Sequence, residues 1–457
     1  MSREGGSVVT NGVLVIRGDA RTLPLPDASV DLVVTSPPYF ALRSYTDGGE
    51  HYAGQIGAEP TPAEYIANLI DCTREWARVL KPTGSIFVNL GDKYSGAGPQ
   101  NAPGRLSSVG NSHHWQQVGR SGIPSKSLML LPERYRIAAV DQLGLIARAV
   151  VIWSKPNGLP ESVTDRVRRS HEDWVHLTKQ PRYYSAVDEI REPHARIWTP
   201  GKNGGTRPAL VASRSQYDGP ATSGPHPLGK LPGSVWEIAT EPLKVPEHLG
   251  VDHFAAFPTE WPRRIILGWS PSGICTACGE GRRPVVASVG LDMSRPQARR
   301  AQELADRAGL TEAHFAALLS VGVSDTGRGA ATQSGTGKNT PEVYALAAEA
   351  RAVLGGYARE YLLRRPTGFR DGCACPDASA PTRPAVVLDP FSGTGTTVLV
   401  ASALGRHGIG VDMSADYCRL AQWRVNDPAQ RAKVLGVPRP PEQLEGQADL
   451  FAELEAS

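Results

Sequence analysis

Apolar positions along this chain fall into two patterns: short unbroken runs that read as buried strands, and runs recurring every three or four residues that read as helices. Val13-Leu-Val-Ile16 ends at Gly18-Asp19, and Val30-Asp-Leu-Val-Val34 ends at Thr35-Ser-Pro-Pro-Tyr39. Both are predicted as strands, each stopped by residues that a strand interior rejects. Between Pro62 and Leu80 the positions Tyr65, Ile66, Leu69, Ile70, Trp76, Val79 and Leu80 recur at helical spacing, with Thr61 as cap and Pro62 in the first turn. After Pro82-Thr-Gly84 comes a further strand, Ser85-Ile-Phe-Val-Asn-Leu90. Strand, helix and strand in that order imply parallel pairing and an α/β fold.

Residues 95 to 127 carry Gly, Ser, Asn and Gln with His113, His114 and Trp115 and no periodicity, which predicts a long loop. Helical spacing returns from Pro132 to Leu143, followed by strands at Ala147-Arg-Ala-Val-Val-Ile-Trp153 and near Trp174-Val-His-Leu177. From about 195 to 245 the chain is rich in Gly, Pro, Ser and Arg, and no element is predicted. The last strong α/β signal is late: strand Ala385-Val-Val-Leu388, glycine turn Asp389-Pro-Phe-Ser-Gly-Thr-Gly-Thr-Thr397, and a helix beginning over Val398 to Leu404. Strand Gly408-Ile-Gly-Val411 follows, closed by Asp412, and then a helix from Ala415 to about Val425. Beyond Pro428 the tail is polar, with a short amphipathic piece around Leu450 to Leu454 and no assigned role.

At 457 residues and 40% hydrophobic, the chain can bury a core but is long for one compact domain, so insertions or a second domain are expected. Gly and Pro make up about 19% of it, against a usual ~12%, which gives loops an unusual share. Nine Trp and thirteen Tyr exclude disorder throughout. No apolar run approaches the roughly 18 residues of a membrane span, and the start, Met1-Ser-Arg-Glu-Gly-Gly, lacks the apolar stretch of a secretory signal. A soluble, cytoplasmic protein is expected. The net charge of +3 does not by itself announce a nucleic-acid partner. Only ten of the 49 basic residues are Lys, and Arg suits phosphates and guanine edges; compositional bias of the source genome is the alternative.

A glycine turn between a parallel strand and a helix lets backbone approach a ligand, and an acidic residue ending the next strand can accept both ribose hydroxyls. Gly393, Gly395 and Asp412 are those parts. A phosphate-binding loop would need Gly-Lys-Ser/Thr where Gly395-Thr-Thr stands, and a dinucleotide fingerprint would need a third Gly at Val398. Asp389 adds a carboxylate that repels pyrophosphate and welcomes an ammonium. A cationic, amino-acid-bearing nucleoside fits best, and S-adenosylmethionine is the obvious one; a turn that only packs is the alternative.

Thr35-Ser-Pro-Pro-Tyr39 lies where open α/β sheets hold their ligands, and its prolines leave carbonyl acceptors and few backbone donors. An exocyclic amine is poorly nucleophilic because its lone pair is delocalised into the ring. Acceptors at Ser36 and the Pro37 carbonyl would hold its hydrogens, favour a tetrahedral nitrogen and aim the lone pair at an electrophilic methyl. Tyr39 would stack on the base for about 1–3 kcal/mol, comparable with the few kcal/mol that extruding a base costs.

With these motifs the sequence resembles the DNA amino-methyltransferases that modify cytosine N4 or adenine N6. The matching residues are Val34-Thr-Ser-Pro-Pro-Tyr39 and Asp389-Pro-Phe-Ser-Gly-Thr-Gly395. Their order, catalytic first and cofactor last, looks like the beta class, whose core is circularly permuted. Trp153-Ser-Lys-Pro-Asn157, Pro160-Glu-Ser-Val-Thr-Asp-Arg166, His171-Glu172 and Phe254-Ala-Ala-Phe-Pro258 agree, and the likeness covers about residues 12 to 94, 128 to 195, 232 to 278 and 376 to 425. The resemblance implies a seven-stranded Rossmann-like methyltransferase sheet, S-adenosylmethionine as donor and a flipped base. By matching position, Ser36, Pro37, Pro38 and Tyr39 would be catalytic. Asp19 would face the cofactor's adenine amine, Asp412 its ribose, and Phe257 and Phe391 its pocket, with Asp389, Pro390, Gly393, Gly395 and Thr396 completing the site. For Asp19 a turn cap is the alternative. Ser before Pro37 looks like the cytosine-N4 subgroup, whereas Asp or Asn there is commoner for adenine N6.

Cys275-Thr-Ala-Cys278 and Cys373-Ala-Cys375 supply two thiolate pairs suited to a closed, structural tetrahedral zinc, with free or redox-active thiols as the alternative. Cys72 and Cys418 sit in helical stretches and are expected to be packed. The expected organisation is a catalytic half over 1–278 with loop insertions at about 95–127 and 196–235. A Cys-pinned helical insertion over 279–372, a cofactor-binding half over 373–427 and a polar tail over 428–457 follow. Within the insertion, helices are predicted at Arg299 to Ala308, Thr311 to Val321 and from Thr340-Pro341 to near Gly355-Gly356. Between the last two lie Arg328, Gln333, Lys338 and Asn339, donors suited to base edges and phosphates. A solvated excrescence or an oligomer contact is the alternative there, and the two long loops compete for the recognition role. The reading is therefore a site-specific methyltransferase of double-stranded DNA, preferring cytosine N4, which can have a restriction endonuclease partner. Adenine N6 is the runner-up. A non-catalytic DNA-binding protein of this fold is the rival from another class, and an RNA or protein-amide methyltransferase a third.

Overall fold

The computed structural model describes residues 8–10, 12–41, 46–47, 50–51, 54–95, 123–158, 160–194, 229–243, 245–246, 249, 257–289, 291, 293, 295–321, 340–362, 365–373, 375 and 380–439. Its main sheet is built from β1 (Val8–Thr10), β2 (Val13–Arg17), β3 (Val30–Thr35), β4 (Leu80–Leu90), β5 (Ile146–Ser154), β6 (His171–Thr178), β7 (Val235–Glu237), β8 (Val386–Asp389) and β9 (His407–Asp412). These nine strands lie in the order β1-β2-β9-β8-β3-β4-β6-β5-β7. From β2 to β4 the pairing is parallel, β6 is antiparallel to both neighbours, and the three-residue β1 and β7 form the edges. The sheet thus has two strands more than the resemblance implied. Strand β8, from late in the chain, is inserted beside β3, from its beginning, with Leu388 opposite Val33.

All six residues of β3 are buried, as expected of a central parallel strand covered on both faces. Its Val30 and Val33 face a core with Ile86 and Val88, closed by Tyr65, Leu69 and Trp76 of α1 (Pro62–Val79) and Tyr135 of α2 (Leu131–Leu143). Leu32 and Val34 face the opposite core with Phe87, Trp153, Trp174 and Trp236, closed by α3 (Glu260–Trp269). Thr61 caps α1 by accepting from Glu64 N–H at 3.2 Å. Trp76 is fully buried, and truncating such a side chain to Ala costs ~3–5 kcal/mol.

Helix α3 is an addition to the sequence reading. Trp261, Ile265, Ile266 and Trp269 mark its buried face, a short stripe that the Pro-rich surroundings disguised. Among the remaining helices, α4 (Pro296–Ala308), α5 (Glu312–Val321) and α6 (Pro341–Leu354) fall where helical spacing placed them, α6 ending at Gly355, and α7 (Ala358–Leu362) follows. Helices α8 (Thr396–Ala403) and α9 (Ala415–Asn426) flank β9 in sequence. The tail expected to begin at Pro428 instead opens with α10 (Pro428–Leu435), capped by Asp427 accepting from Ala429 N–H and burying Ala432 and Val434. The amphipathic piece around 450 to 454 lies outside the described residues, as do most of the loops expected at 95–127 and 196–235. Strand β7 occupies the end of the stretch where no element was predicted.

By contacts, the described residues within 1–190, 231–283 and 373–457 form one compact unit, and those within 191–230 and 284–372 form another. The second unit holds α4 to α7 around Ala305, Leu318, Ala350 and Leu354, with Phe315 stacked on Tyr361 at 4.3 Å. Strand Arg283–Val289 pairs there with Arg365–Gly372. No helix among the described residues is long and apolar enough to cross a membrane.

Candidate active site

The parallel strands β3, β8 and β9 all end on one edge of the sheet, so the turns that follow them converge. They surround a cavity of about 580 Å³, which is of a size to hold a drug-sized ligand. Ser36, Pro37, Pro38 and Tyr39 line it from the turn after β3. Pro390, Phe391, Gly393 and Thr396 line it from the turn after β8, and Asp19, Phe257 and Asp412 complete the predicted set that it brings together. Asp389 and Gly395 are not among the lining residues.

Gly393 and Gly395 both adopt left-handed backbone, with φ of +48° and +76°. Their needs differ. A Cβ at Gly395 would stand 2.8 Å from Ala421 Cβ, so this glycine serves packing against α9. At Gly393 the nearest atom to such a Cβ is 4.0 Å away, so its missing side chain leaves room for a ligand. Asp412 fixes the turn by accepting from Gly393 N–H at 2.8 Å and Ser414 N–H at 2.9 Å. Asp389 lies beneath the turn, 1% exposed, with Oδ1 accepting from Thr35 Oγ1 at 2.7 Å and Phe391 N–H at 3.1 Å. Its Oδ2 is buried and has no hydrogen-bond partner among the described residues. Burial raises the carboxyl to about 6, against the donors that would lower it and with Asp412 adding to the rise.

Tyr39 is held from three sides. Its hydroxyl lies 2.7 Å from Asn89 Oδ1 and 2.7 Å from Glu172 Oε2, and a Cβ on Gly91 would stand 2.7 Å from its ring. Burial, then the Glu172 charge, push this phenol well above its ordinary value, so it stays protonated. Asn89 Oδ1 also accepts from Ser36 Oγ at 3.3 Å, while Asn89 Nδ2 donates to the Asp173 carbonyl at 3.2 Å. Tyr65 donates its hydroxyl to the Pro38 carbonyl at 2.9 Å. Lys155 contacts Glu172 and lies 4.2 Å over the Trp153 ring. Asp19 accepts from both the Arg21 backbone N–H and its guanidinium at 2.6–3.0 Å. Burial would raise this carboxyl, but the Arg21 bonds outweigh it and hold it below its ordinary value. Asp19 therefore makes the turn contact weighed as its alternative and still lines the cavity. Phe257 packs edge-on against Trp174 at 5.6 Å and Phe391 against Trp76 at 5.9 Å.

Asn89, Lys155 and Glu172 line the cavity without having been assigned a role from sequence. Each had a visible signal. Asn89 is a polar residue inside the apolar run of a central strand, and Lys155 and Glu172 are charges at the ends of β5 and β6.

The Sγ atoms of Cys275, Cys278, Cys373 and Cys375 all lie within 4.8 Å of one another. Cys275 sits on a two-residue strand, Ile274–Cys275, paired with Thr382–Arg383. The backbone N–H groups of Cys278 and Ala277 point at its sulfur and lower its pKa, whereas hydrogen bonding with Cys278 and Cys275 pushes the Cys375 thiol up. Four sulfurs at this spacing fit a closed tetrahedral site. Cys72 and Cys418 are buried, as expected. Arg328, Gln333, Lys338 and Asn339 lie outside the described residues.

A family model described as DNA methylase matches residues 30–275 and 380–423, more than half of the chain. The type II methyltransferase M.SmaI of Serratia marcescens is 32% identical over 300 residues, spanning 63% of this chain and 89% of that protein. The type II methyltransferase M.SfiI of Streptomyces fimbriatus is 29% identical over 418 residues, or 86% of each chain. Among solved structures, a cytosine-N4-specific PvuII DNA methyltransferase aligns with 93% of this chain and 90% of that chain at 15% identity and a TM-score of 0.44.

Proposed function

Because the chain belongs to the DNA methylase family of N4 and N6 amino-methyltransferases, we propose that it moves a methyl group from S-adenosylmethionine to the exocyclic amine of a flipped base, preferably cytosine N4. One observation carries this reading: Tyr39 and Phe391, 352 positions apart in sequence, line the same cavity. The cavity residues fit the cofactor. Acidic Asp19 and Asp412 suit an adenine amine, ribose hydroxyls and positive charge, Phe257 and Phe391 offer apolar surface, and Gly393 leaves one wall open.

S-adenosylmethionine supplies an electrophilic methyl group on a sulfonium. Ser36 Oγ and the Pro37 carbonyl accept from the amine's hydrogens and turn its lone pair toward that methyl. With the amine so held, bound S-adenosylmethionine would supply the methyl carbon while its sulfur keeps the S–C electrons, and one amine proton would pass to solvent, so that no covalent enzyme intermediate and no Cys nucleophile would be needed. Tyr39, steadied by Asn89 and Glu172, presents its ring to the base. Asp389 acts from beneath the glycine turn, and Pro38, Pro390, Gly395 and Thr396 shape the two turns.

Ser36 before Pro37 supports cytosine N4 as the target. Digesting methylated DNA to nucleosides tests this, and finding only N6-methyladenine would reject it in favour of the runner-up. The rival non-catalytic DNA-binding role predicts no heat on titration with S-adenosylmethionine. We further propose a permuted methyltransferase core of seven strands, β2 to β6 with β8 and β9, whose catalytic half ends near 278 and whose cofactor half begins near 373. The four cysteines would hold one structural zinc, an elemental assay being the test. The insertion between the halves, with Arg328, Gln333, Lys338 and Asn339, would read the DNA. The type II methyltransferase relatives support a place in a restriction–modification pair, for which a cytoplasmic location is proposed.

A further inference from the structure

Beneath the glycine turn a cation is buried among neutral partners. Arg424 of α9 is 3% exposed. Its Nη1 donates to Thr396 Oγ1 at 2.7 Å and Thr394 Oγ1 at 3.0 Å, with the Thr394 carbonyl at 3.5 Å, and its Nε donates to Gln430 Oε1 at 3.4 Å. Glu241 is the carboxylate whose charge reaches Arg424, but its hydrogen bonds go elsewhere. It accepts from the Thr259 N–H and hydroxyl, each at 2.8 Å, and from Lys433 Nζ at 2.5 Å. A buried guanidinium with no hydrogen-bonded anion among the described residues is expensive to maintain, and burial draws its pKa down to about 10.

The two threonines point to where an anion belongs. Thr394 and Thr396 line the main cavity, whereas Arg424 stands behind them and lines a separate recess of about 250 Å³. A hydroxyl oxygen that accepts from Arg424 keeps its own proton to donate. The guanidinium therefore turns both hydroxyls into donors and polarises them, at the N-terminal end of α8 where the backbone dipole has the same sign. The two hydroxyl oxygens are 3.4 Å apart, close enough for one to donate to the other, which still leaves one hydroxyl proton to serve a carboxylate.

We propose that Arg424, acting through Thr394 and Thr396, is the positioning residue for the carboxylate of the cofactor's amino-acid end, so that the site selects sulfonium nucleosides carrying that carboxylate. The inference rests on the S-adenosylmethionine reading above and adds a specificity to it.

Calorimetric titration of the full chain with S-adenosylmethionine and with decarboxylated S-adenosylmethionine, which keeps the sulfonium and the amine, tests it. Arg424→Met is expected to weaken the first by about tenfold or more and the second by less than about twofold. Thr394→Val, nearly isosteric and free of any buried charge change, should show the same selective loss if Arg424→Met does not fold. Equal weakening of both ligands, or no weakening of either, overturns the proposal while leaving the cofactor reading standing. A wild-type protein that binds neither ligand sinks both.

Discussion

Thr35 Oγ1 donates to Asp389 Oδ1 at 2.7 Å, joining residues 354 positions apart. The bond ties the end of β3, which carries the Ser-Pro-Pro-Tyr turn, to the end of β8, which carries the glycine turn. It lies in the interior, where a lost donor leaves a carboxylate short of a partner. Thr35→Val should destabilise the fold by about 1–3 kcal/mol, read by denaturant titration.

The same carboxyl sets a pH dependence. Asp389 has its pKa raised from 3.8 to about 6 by burial, so the folded protein binds this proton more tightly than the unfolded chain does. Its contribution is complete below the unfolded value and is lost as pH rises through the folded one. The stability of Asp389→Asn relative to wild type should therefore climb between pH 4 and pH 7, by on the order of 2–3 kcal/mol. A difference that stays flat over that range would remove the buried carboxyl from consideration.

Tyr39 separates ring from hydroxyl. Tyr39→Phe keeps the stacking face but leaves Asn89 Oδ1 and Glu172 Oε2 without the phenol between them, and methylation under single-turnover conditions should slow by about tenfold. Tyr39→Ala also removes a stacking surface of about 1–3 kcal/mol, so a further loss of about tenfold to a hundredfold is expected. Affinity for S-adenosylmethionine should hold in both, because the ring serves the base. Equal rates for the two variants would mean that the ring does not touch the base.

Much of this site was legible because parallel strands oblige chemistry to gather at their C-terminal ends. The apolar runs at Val30-Asp-Leu-Val-Val34 and Ala385-Val-Val-Leu388, each followed by a turn that no strand could continue, placed both halves before their contact was visible. What sequence could not convey was use of the same residue type for different ends. Gly393 and Gly395 look alike in the motif, yet one faces the cavity and the other faces Ala421. Arg424 resembled any helical arginine until its burial under Thr394 and Thr396 appeared. Helix α10 was hidden because its only buried apolar residues are Ala432 and Val434, too few to stand out among Pro, Gln, Arg and Lys.

The cysteine cluster predicts one zinc per chain. The chain leaves the sheet-bearing unit at 283 and returns at 373, and Cys275, Cys278, Cys373 and Cys375 flank those points. Cys278→Ser should lower the metal content in an elemental assay and bring forward thermal unfolding, since a structural site contributes directly to folding. Purified protein without zinc, with the same melting curve as Cys278→Ser, would dismiss the metal.

His176 should act on stability in the direction opposite to Asp389. It lies on β6, stacked on Phe87 at 4.2 Å, with Nε2 3.1 Å from Ser85 Oγ. Burial, and then the charge of Arg148, push its pKa from 6.5 down to about 3, so the folded protein keeps it neutral. Below about pH 6.5 the unfolded chain takes up a proton that the folded one refuses, and stability is lost as pH falls from there toward 3. Replacing both partners by apolar groups, as in His176→Phe with Ser85→Ala, avoids stranding a buried hydroxyl and should cost little at pH 7. The double variant is expected to keep more of its melting temperature than wild type between pH 6.5 and pH 4.5. Parallel losses in the two proteins over that interval would show that His176 takes up its proton without unfolding the sheet.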